Sequence, residues 1–110
     1  MKIRPAVPYD VSAVRACAEE AYAPYIAAIG RKPAPMVADF ETQIGAGQVH
    51  VAEDETGSFL GFIVYFQNAD HMFLENVAVV SAAAGRGIGR ALISHCEAEA
   101  CSLGLPAIRL

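Results

Sequence analysis

The chain has 110 residues, enough for one domain with a buried hydrophobic core. Its formal net charge of −4 argues against nucleic acid or an anionic membrane as the main partner. Hydrophobic residues make up 55% of the chain, yet no apolar run approaches the roughly 18 residues that a membrane span requires. The N-terminus also lacks the apolar region of a signal peptide, so we expect a cytoplasmic protein.

The first third of the chain predicts a strand and two helices. The strand covers residues 2–7 and stops at Pro8. A helix follows with Asp10 as its N-cap, and Pro24 should end or kink it because proline cannot donate a hydrogen bond to the preceding turn. A proline-containing loop then leads to a short helix over residues 36–44. The buried face of the first helix is marked by Val11, Val14, Cys17 and Ala18.

Three strands are predicted next. Residues 48–53 alternate apolar and polar side chains, which is typical of a half-buried strand. Residues 59–67 are nearly all apolar, as in a central strand covered on both faces. The next strand covers residues 72–80. Because short turns join these strands, they should form an antiparallel meander.

A glycine-rich turn then joins this last strand to a helix over residues 86–103. Gly85, Gly87 and Gly89 carry no Cβ, so backbone N–H groups can turn toward a ligand at the positive N-terminus of the helix. Such a place binds phosphate. A fifth strand, residues 106–110, should lie parallel to the fourth. The buried face of the helix is predicted to be Ile88, Leu92, Cys96 and Ala100.

Two phosphate-binding motifs fail to fit this turn. The dinucleotide fingerprint requires a glycine where Arg90 stands, and a P-loop requires Lys-Ser/Thr after Gly89. A glycine-rich helix start without a ligand is the plain alternative. The turn resembles the pyrophosphate loop of the GNAT superfamily of N-acetyltransferases, with the pattern Gln/Arg-x-x-Gly-x-Gly/Ala. It departs from that pattern at Ala84, where Gln or Arg is usual, and at Ser81, where proline is common.

The resemblance implies an α+β fold in which helices flank a mixed, mainly antiparallel sheet in the order β-α-α-β-β-β-α-β. Residues 1–110 then form a single GNAT-like domain that is short at its C-terminus. Family members usually continue into a further helix and strand pair, which commonly supply a tyrosine that protonates the departing thiolate. We match no residue to that tyrosine.

In the family, acetyl-CoA is the co-substrate. Its pantetheine arm pairs with the fourth strand, and the backbone N–H near Val77 would polarise the thioester carbonyl. Its pyrophosphate lies on the glycine-rich turn. By resemblance, the residues that bind acetyl-CoA are therefore Asn76, Val77, Ala78, Val79, Gly85, Arg86, Gly87, Ile88, Gly89, Arg90 and Ala91.

Glu75 is the candidate catalytic base, because it is a carboxylate in an apolar strand just before the pantetheine residues. Desolvation there should raise its pKa. The alternative is a solvent-facing acid at a strand edge. The candidate acceptor-site residues, again by resemblance, are Tyr22, Tyr25, Arg31 and Met36. The alternative interpretation is that the two tyrosines pack in the core and that Arg31 lies in a solvated loop.

Two hypotheses about function remain. The first is an enzyme that transfers an acetyl group from acetyl-CoA to a primary amine of a small molecule or peptide by direct attack. The second is a non-catalytic CoA-binding or interaction module, or a shortened fragment of a longer acetyltransferase. We expect either self-association across residues 108–110 or a longer natural chain, because an open strand edge invites pairing. His50, His71 and His95 lie in different elements, so no metal site is predicted.

Overall fold

The computed structural model describes residues 1–24 and 38–110. Within them, five strands form one sheet in sequence order: β1 (Lys2–Pro5), β2 (Val49–Glu53), β3 (Phe59–Asn68), β4 (His71–Val79) and β5 (Ile108–Arg109). The first four strands are antiparallel, and β5 is parallel to β4 through the pairs Met72–Ile108 and Phe73–Arg109. The predicted α+β fold with a mixed, mainly antiparallel sheet is confirmed.

Three α-helices flank the sheet in these ranges: α1 (Val11–Tyr22), α2 (Phe40–Gly45) and α3 (Ile88–Ser102). The end of α1 before Pro24 agrees with the prediction. The start of α2 was predicted too early, because residues 38 and 39 precede the helix. Asp39 is its N-cap, accepting hydrogen bonds from the Thr42 N–H (3.2 Å) and hydroxyl (2.8 Å). None of the helices in the described ranges is long and apolar enough to cross a membrane.

The hydrophobic core has one layer on each face of the sheet. On one face α3 buries its predicted apolar stripe, with Ile88, Leu92, Cys96 and Ala100 each no more than 4% exposed. On the other face α1 and α2 pack over Val49, Val51, Phe62 and Val64. The central strand β3 serves both layers, because its residues alternate between them, Ile63 and Tyr65 facing α3. This explains its nearly continuous apolar run.

Asp10 has a different role from the one predicted. It occupies the N-cap position of α1, but its side chain makes no capping hydrogen bond to that helix. Instead the carboxylate accepts two hydrogen bonds from the Arg4 guanidinium (2.9 and 3.0 Å) and one from the Val7 N–H (2.8 Å). The Arg4 hydrogen bond is the main reason that the pKa of Asp10 is lowered. Asp10 therefore ties β1 to the start of α1.

Strand β4 contains a bulge that the sequence pattern did not reveal. Val64 pairs with Asn76 and Tyr65 pairs with Leu74, so Glu75 is the extra residue on β4. Such a bulge redirects side chains that would otherwise alternate strictly between the two faces. Consequently Glu75 and Asn76, although adjacent, both contact helices on the same face of the sheet.

Candidate functional site

The glycine-rich turn has the backbone geometry of an anion site. Gly85 and Gly87 have φ angles of 81° and 77°, in the left-handed region that side chains rarely adopt. A Cβ at either position would meet no atom within 4 Å. The glycines are therefore required by the backbone conformation, and the space above them is open for a ligand.

Helix α3 begins directly after this turn, with Gly87 as its N-cap. The first hydrogen bond of the helix joins the Ala91 N–H to the Gly87 carbonyl (3.0 Å). The N–H groups of Ile88, Gly89 and Arg90 precede this bond, so they lie at the end of the helix where N–H groups have no carbonyl partner one turn earlier. Those donors and the helix dipole make this end of α3 positive. The side chains of Arg86 and Arg90 are both exposed beside it. The arrangement suits a phosphate group.

The start of the turn is tied to α1, and the start of α3 lies close to the end of β4. The Glu20 carboxylate, near the end of α1, accepts hydrogen bonds from the Ser81 N–H (2.7 Å) and hydroxyl (3.1 Å). Ser81 starts a single 3-10 turn, Ser81–Ala83, that follows the strand. Farther on, a Cβ at Gly89 would lie 3.6 Å from a methyl group of Val79. The predicted pyrophosphate loop and pantetheine strand are thus adjacent.

The bulge in β4 places two polar side chains on the face covered by α1 and α2. The Gln43 amide of α2 donates a hydrogen bond to Glu75. The Tyr22 hydroxyl of α1 donates one to the Asn76 carbonyl oxygen (2.9 Å), and Asn76 is only 2% exposed. Glu75 is half-buried, so it does not project freely into solvent.

Gln43 is a further candidate site residue, which no sequence motif indicated. Its Oε1 atom is buried and has no hydrogen-bond partner in the described part of the chain, while its Nε2 atom holds Glu75. The sequence feature that could have indicated it is the pair of adjacent polar residues, Glu75 and Asn76, inside an otherwise apolar strand. Those two residues require polar partners across the sheet face, which is where Gln43 and Tyr22 lie.

Of the four predicted acceptor-site residues, the structure describes Tyr22. The Tyr22 hydroxyl contacts Asn76, so Tyr22 lies beside β4, the strand that carries Glu75. Tyr25, Arg31 and Met36 fall outside the described residues. Of the predicted pantetheine residues, Val77 packs toward α3 and Ala78 packs on the opposite face.

Two of the three cysteines are poor nucleophiles. Burial raises the pKa of the Cys17 thiol to about 12, with a contribution from Glu20. Burial, with contributions from Glu99 and Glu97, raises the pKa of the Cys96 thiol to about 11. Neither is a thiolate at neutral pH. The third, Cys101, lies near the end of α3 that is opposite the glycine-rich turn.

Solved structures share this fold at low sequence identity. The BH1408 protein from Bacillus halodurans, solved as a tetramutant, superposes with a TM-score of 0.82 at 17% identity, covering 100% of this chain and 81% of that protein. A GNAT-family acetyltransferase from Listeria monocytogenes gives 0.76 at 19% identity, with 97% and 73% covered. N-acetylglutamate synthase from Neisseria gonorrhoeae, complexed with coenzyme A and N-acetyl-glutamate, gives 0.69 at 20% identity, with 94% and 23% covered.

A search of curated protein sequences found no significant match. The sequence does match the acetyltransferase (GNAT) family over residues 14–110, which is most of its length. The family match, the shared fold and the glycine-rich turn at the start of α3 all agree. The chain belongs to the GNAT acetyltransferase family.

Proposed function

We propose that this chain is an N-acetyltransferase that uses acetyl-CoA as its acetyl donor and a primary amine as its acceptor. The observation that carries the proposal is the glycine-rich turn at the start of α3. It has two positive-φ glycines and N–H groups that precede the first hydrogen bond of the helix. The synthase from Neisseria gonorrhoeae, which shares the fold, is complexed with coenzyme A.

The pyrophosphate of acetyl-CoA is assigned to the backbone N–H groups from Gly85 to Arg90, because the Ala91 N–H, also predicted to contribute, donates to the Gly87 carbonyl. These groups offer hydrogen bonds and partial positive charge that do not depend on a side chain. The absence of Gln or Arg at Ala84 therefore weakens this interaction without removing it. Arg86 and Arg90 add positive charge beside the turn. The pantetheine arm is assigned to the backbone of Asn76, Val77, Ala78 and Val79.

In the proposed reaction the amine nitrogen attacks the thioester carbonyl carbon directly. A C–N bond forms and the C–S bond breaks. The nitrogen loses a proton to solvent, and the departing thiolate takes one up to become the free thiol of CoA. The raised pKa values of Cys17 and Cys96 fit a mechanism without an acyl-cysteine intermediate. An N–H group near Val77 is assigned the role of stabilising negative charge on the carbonyl oxygen.

An ammonium group cannot attack, so its proton must first be removed. Glu75 is assigned this role or that of orienting the amine. The bulge turns it toward α2, and Gln43 holds one carboxylate oxygen by a hydrogen bond. The other oxygen of Glu75 is the acceptor assigned to the ammonium group of the substrate.

The test is calorimetric titration with CoA of the unmutated chain, Gly87→Val and Gly104→Val. Gly104 is a matched control, because its φ is 72°, a Cβ there meets no atom within 4 Å, and it follows the opposite end of α3. We expect Gly87→Val to weaken CoA binding about tenfold or more by blocking the approach to the N–H groups. Gly104→Val should bind CoA normally.

A second measurement follows thiol release from acetyl-CoA with a panel of primary amines. Amine-dependent release supports the transferase. If the unmutated chain binds no CoA, or Gly87→Val binds it equally well, the assignment of the turn is wrong. CoA binding without thiol release for any amine would refute catalysis and favour a non-catalytic CoA-binding module.

A further inference from the structure

A second polar cluster lies under α3, on the face of the sheet opposite Gln43 and Glu75. It consists of His50 on β2 and His95 and Glu99 on α3. Each offers one nitrogen or oxygen atom, and these three atoms lie within 4.8 Å of one another. The imidazole centroids of His50 and His95 are 4.9 Å apart. The packing of α3 on β3 and β4, beside β2, thus brings together two histidines that are 45 positions apart in the sequence.

Two features of the chain produce this convergence. His95 and Glu99 are four residues apart on α3, so they lie on the same face of the helix, one turn from each other. His50 lies in β2 with its ring directed to the α3 side, where it packs against Tyr65 and His95. The sequence alone showed three scattered histidines. The fold brings two of them to one carboxylate.

His50 has a buried nitrogen that lacks a partner. Its Nδ1 atom has no hydrogen-bond partner among residues 1–24 and 38–110. Buried polar atoms in proteins are nearly always paired, with protein, water or an ion. A bound ion would supply a partner that the described residues do not.

Tyr65 orients two of the three side chains. Its hydroxyl donates a hydrogen bond to Glu99 Oε1 (2.7 Å), and its ring stacks on His50 with centroids 5.2 Å apart and planes 8° apart. A neighbouring group that holds a carboxylate while leaving lone pairs available is the usual support of a metal ligand.

We propose that His50, His95 and Glu99 bind a divalent transition-metal ion, with zinc as the best match. Two imidazole nitrogens and one carboxylate oxygen are a ligand set that zinc takes, usually with water in the fourth position. Ligand atoms around tetrahedral zinc lie roughly 3.3 Å apart, so small side-chain rotations would close the set around the ion. Oxygen-preferring Mg²⁺ and Ca²⁺ do not suit two imidazoles.

The expected consequence is a metal-mediated cross-link between α3 and β2. The ion would join the helix that begins with the glycine-rich turn to the sheet, and it would stabilise the folded chain because the unfolded chain lacks the preformed site. The site is on the other face of the sheet from Glu75, so this proposal does not depend on acetyl transfer.

The experiment measures thermal unfolding and calorimetric binding of the chelator-treated chain with zinc chloride, with magnesium chloride as a comparison. At zinc about 100-fold above its Kd we expect Tm to rise by roughly 10 °C, and magnesium should leave Tm unchanged. Cobalt(II) should give the visible absorption of a tetrahedral site. The variants are His95→Gln, Glu99→Gln and, as a control outside the cluster, His71→Gln.

We expect His95→Gln and Glu99→Gln to lose the zinc-dependent rise in Tm and the cobalt absorption, while His71→Gln keeps both. Glu99→Gln retains an oxygen for the Tyr65 hydrogen bond, and circular dichroism of the metal-free variants checks that they fold. No zinc binding by the unmutated chain would overturn the proposal. Retention of the full effect in His95→Gln would also overturn it, because the ion would then sit elsewhere, for example on Cys101.

Discussion

Gly61 is the position at which the packing of β3 on β4 can be tested most sharply. It pairs with Val79, the last residue of β4. A Cβ added to Gly61 would lie 2.6 Å from the Ala78 carbonyl oxygen and 3.2 Å from the Val79 Cα atom. Both are backbone atoms, so no side-chain rotation relieves the contact. Gly61→Ala should therefore push β3 and β4 apart.

The size of the effect follows from this geometry. Overpacking in a well-packed interior costs about 1–3 kcal/mol, and alanine returns roughly 0.5 kcal/mol by restricting the unfolded chain. We expect a net loss of about 1.5 kcal/mol in the free energy of unfolding. For a chain of 110 residues, an unfolding entropy of about 2.1 cal/mol/K per residue converts this loss to a fall in Tm of roughly 6 °C.

Urea unfolding of Gly61→Ala, with Gly45→Ala as the control, measures this loss. Gly45 is the last residue of α2, and a Cβ there meets no atom within 4 Å. Its replacement should be neutral or stabilise by up to about 0.5 kcal/mol. Because Ala78 and Val79 belong to the proposed pantetheine strand, Gly61→Ala should also weaken CoA binding. If Gly61→Ala unfolds at the same urea concentration as the unmutated chain, β3 and β4 are not held this close and the reasoning is refuted.

Two further predictions concern Asp10 and Glu75. The pKa of Asp10 is lower in the folded chain than its ordinary value. Its pairing with Arg4 therefore stabilises the folded chain at pH values above the pKa of Asp10 in the unfolded chain. This stabilisation is lost as the pH falls through the pKa of Asp10 in the folded chain. Asp10→Asn should therefore cost roughly 2 kcal/mol at pH 7, a value reduced from that of a fully buried pair because Arg4 is 27% exposed. Urea unfolding at pH 7 and pH 3 should show the difference shrinking at the lower pH; an equal difference at both would contradict it. Glu75→Gln should lower turnover about tenfold or more, remove the acidic limb of the pH–rate profile and leave CoA affinity unchanged. Steady-state kinetics and a CoA titration measure these effects. If turnover and the acidic limb both survive in Glu75→Gln, Glu75 does not remove the proton.

Features set by neighbours along the chain were predicted well from the sequence. The four buried positions of α3 repeat at four-residue steps, and all four are buried. The glycines mark the turn because Gly85 and Gly87 adopt φ angles that other residues avoid. The short turns between strands predicted the antiparallel pairing of β2, β3 and β4, which the structure has. In each case the information is local to one helix turn, one loop or one hairpin.

Contacts between distant residues were decided by the tertiary structure. Arg4 draws the Asp10 side chain away from the capping role that its position predicted. The bulge at Glu75 exists only in the register of β4 against β3, and it directs Glu75 to Gln43, which lies 32 residues earlier. His50 and His95 meet because α3 packs on β3 and β4, which brings the His95 ring to His50 on the neighbouring strand β2. Periodicity predicts which face of an element is buried. Which side chains meet depends on strand register and helix placement, and these are determined by the packing of the whole core.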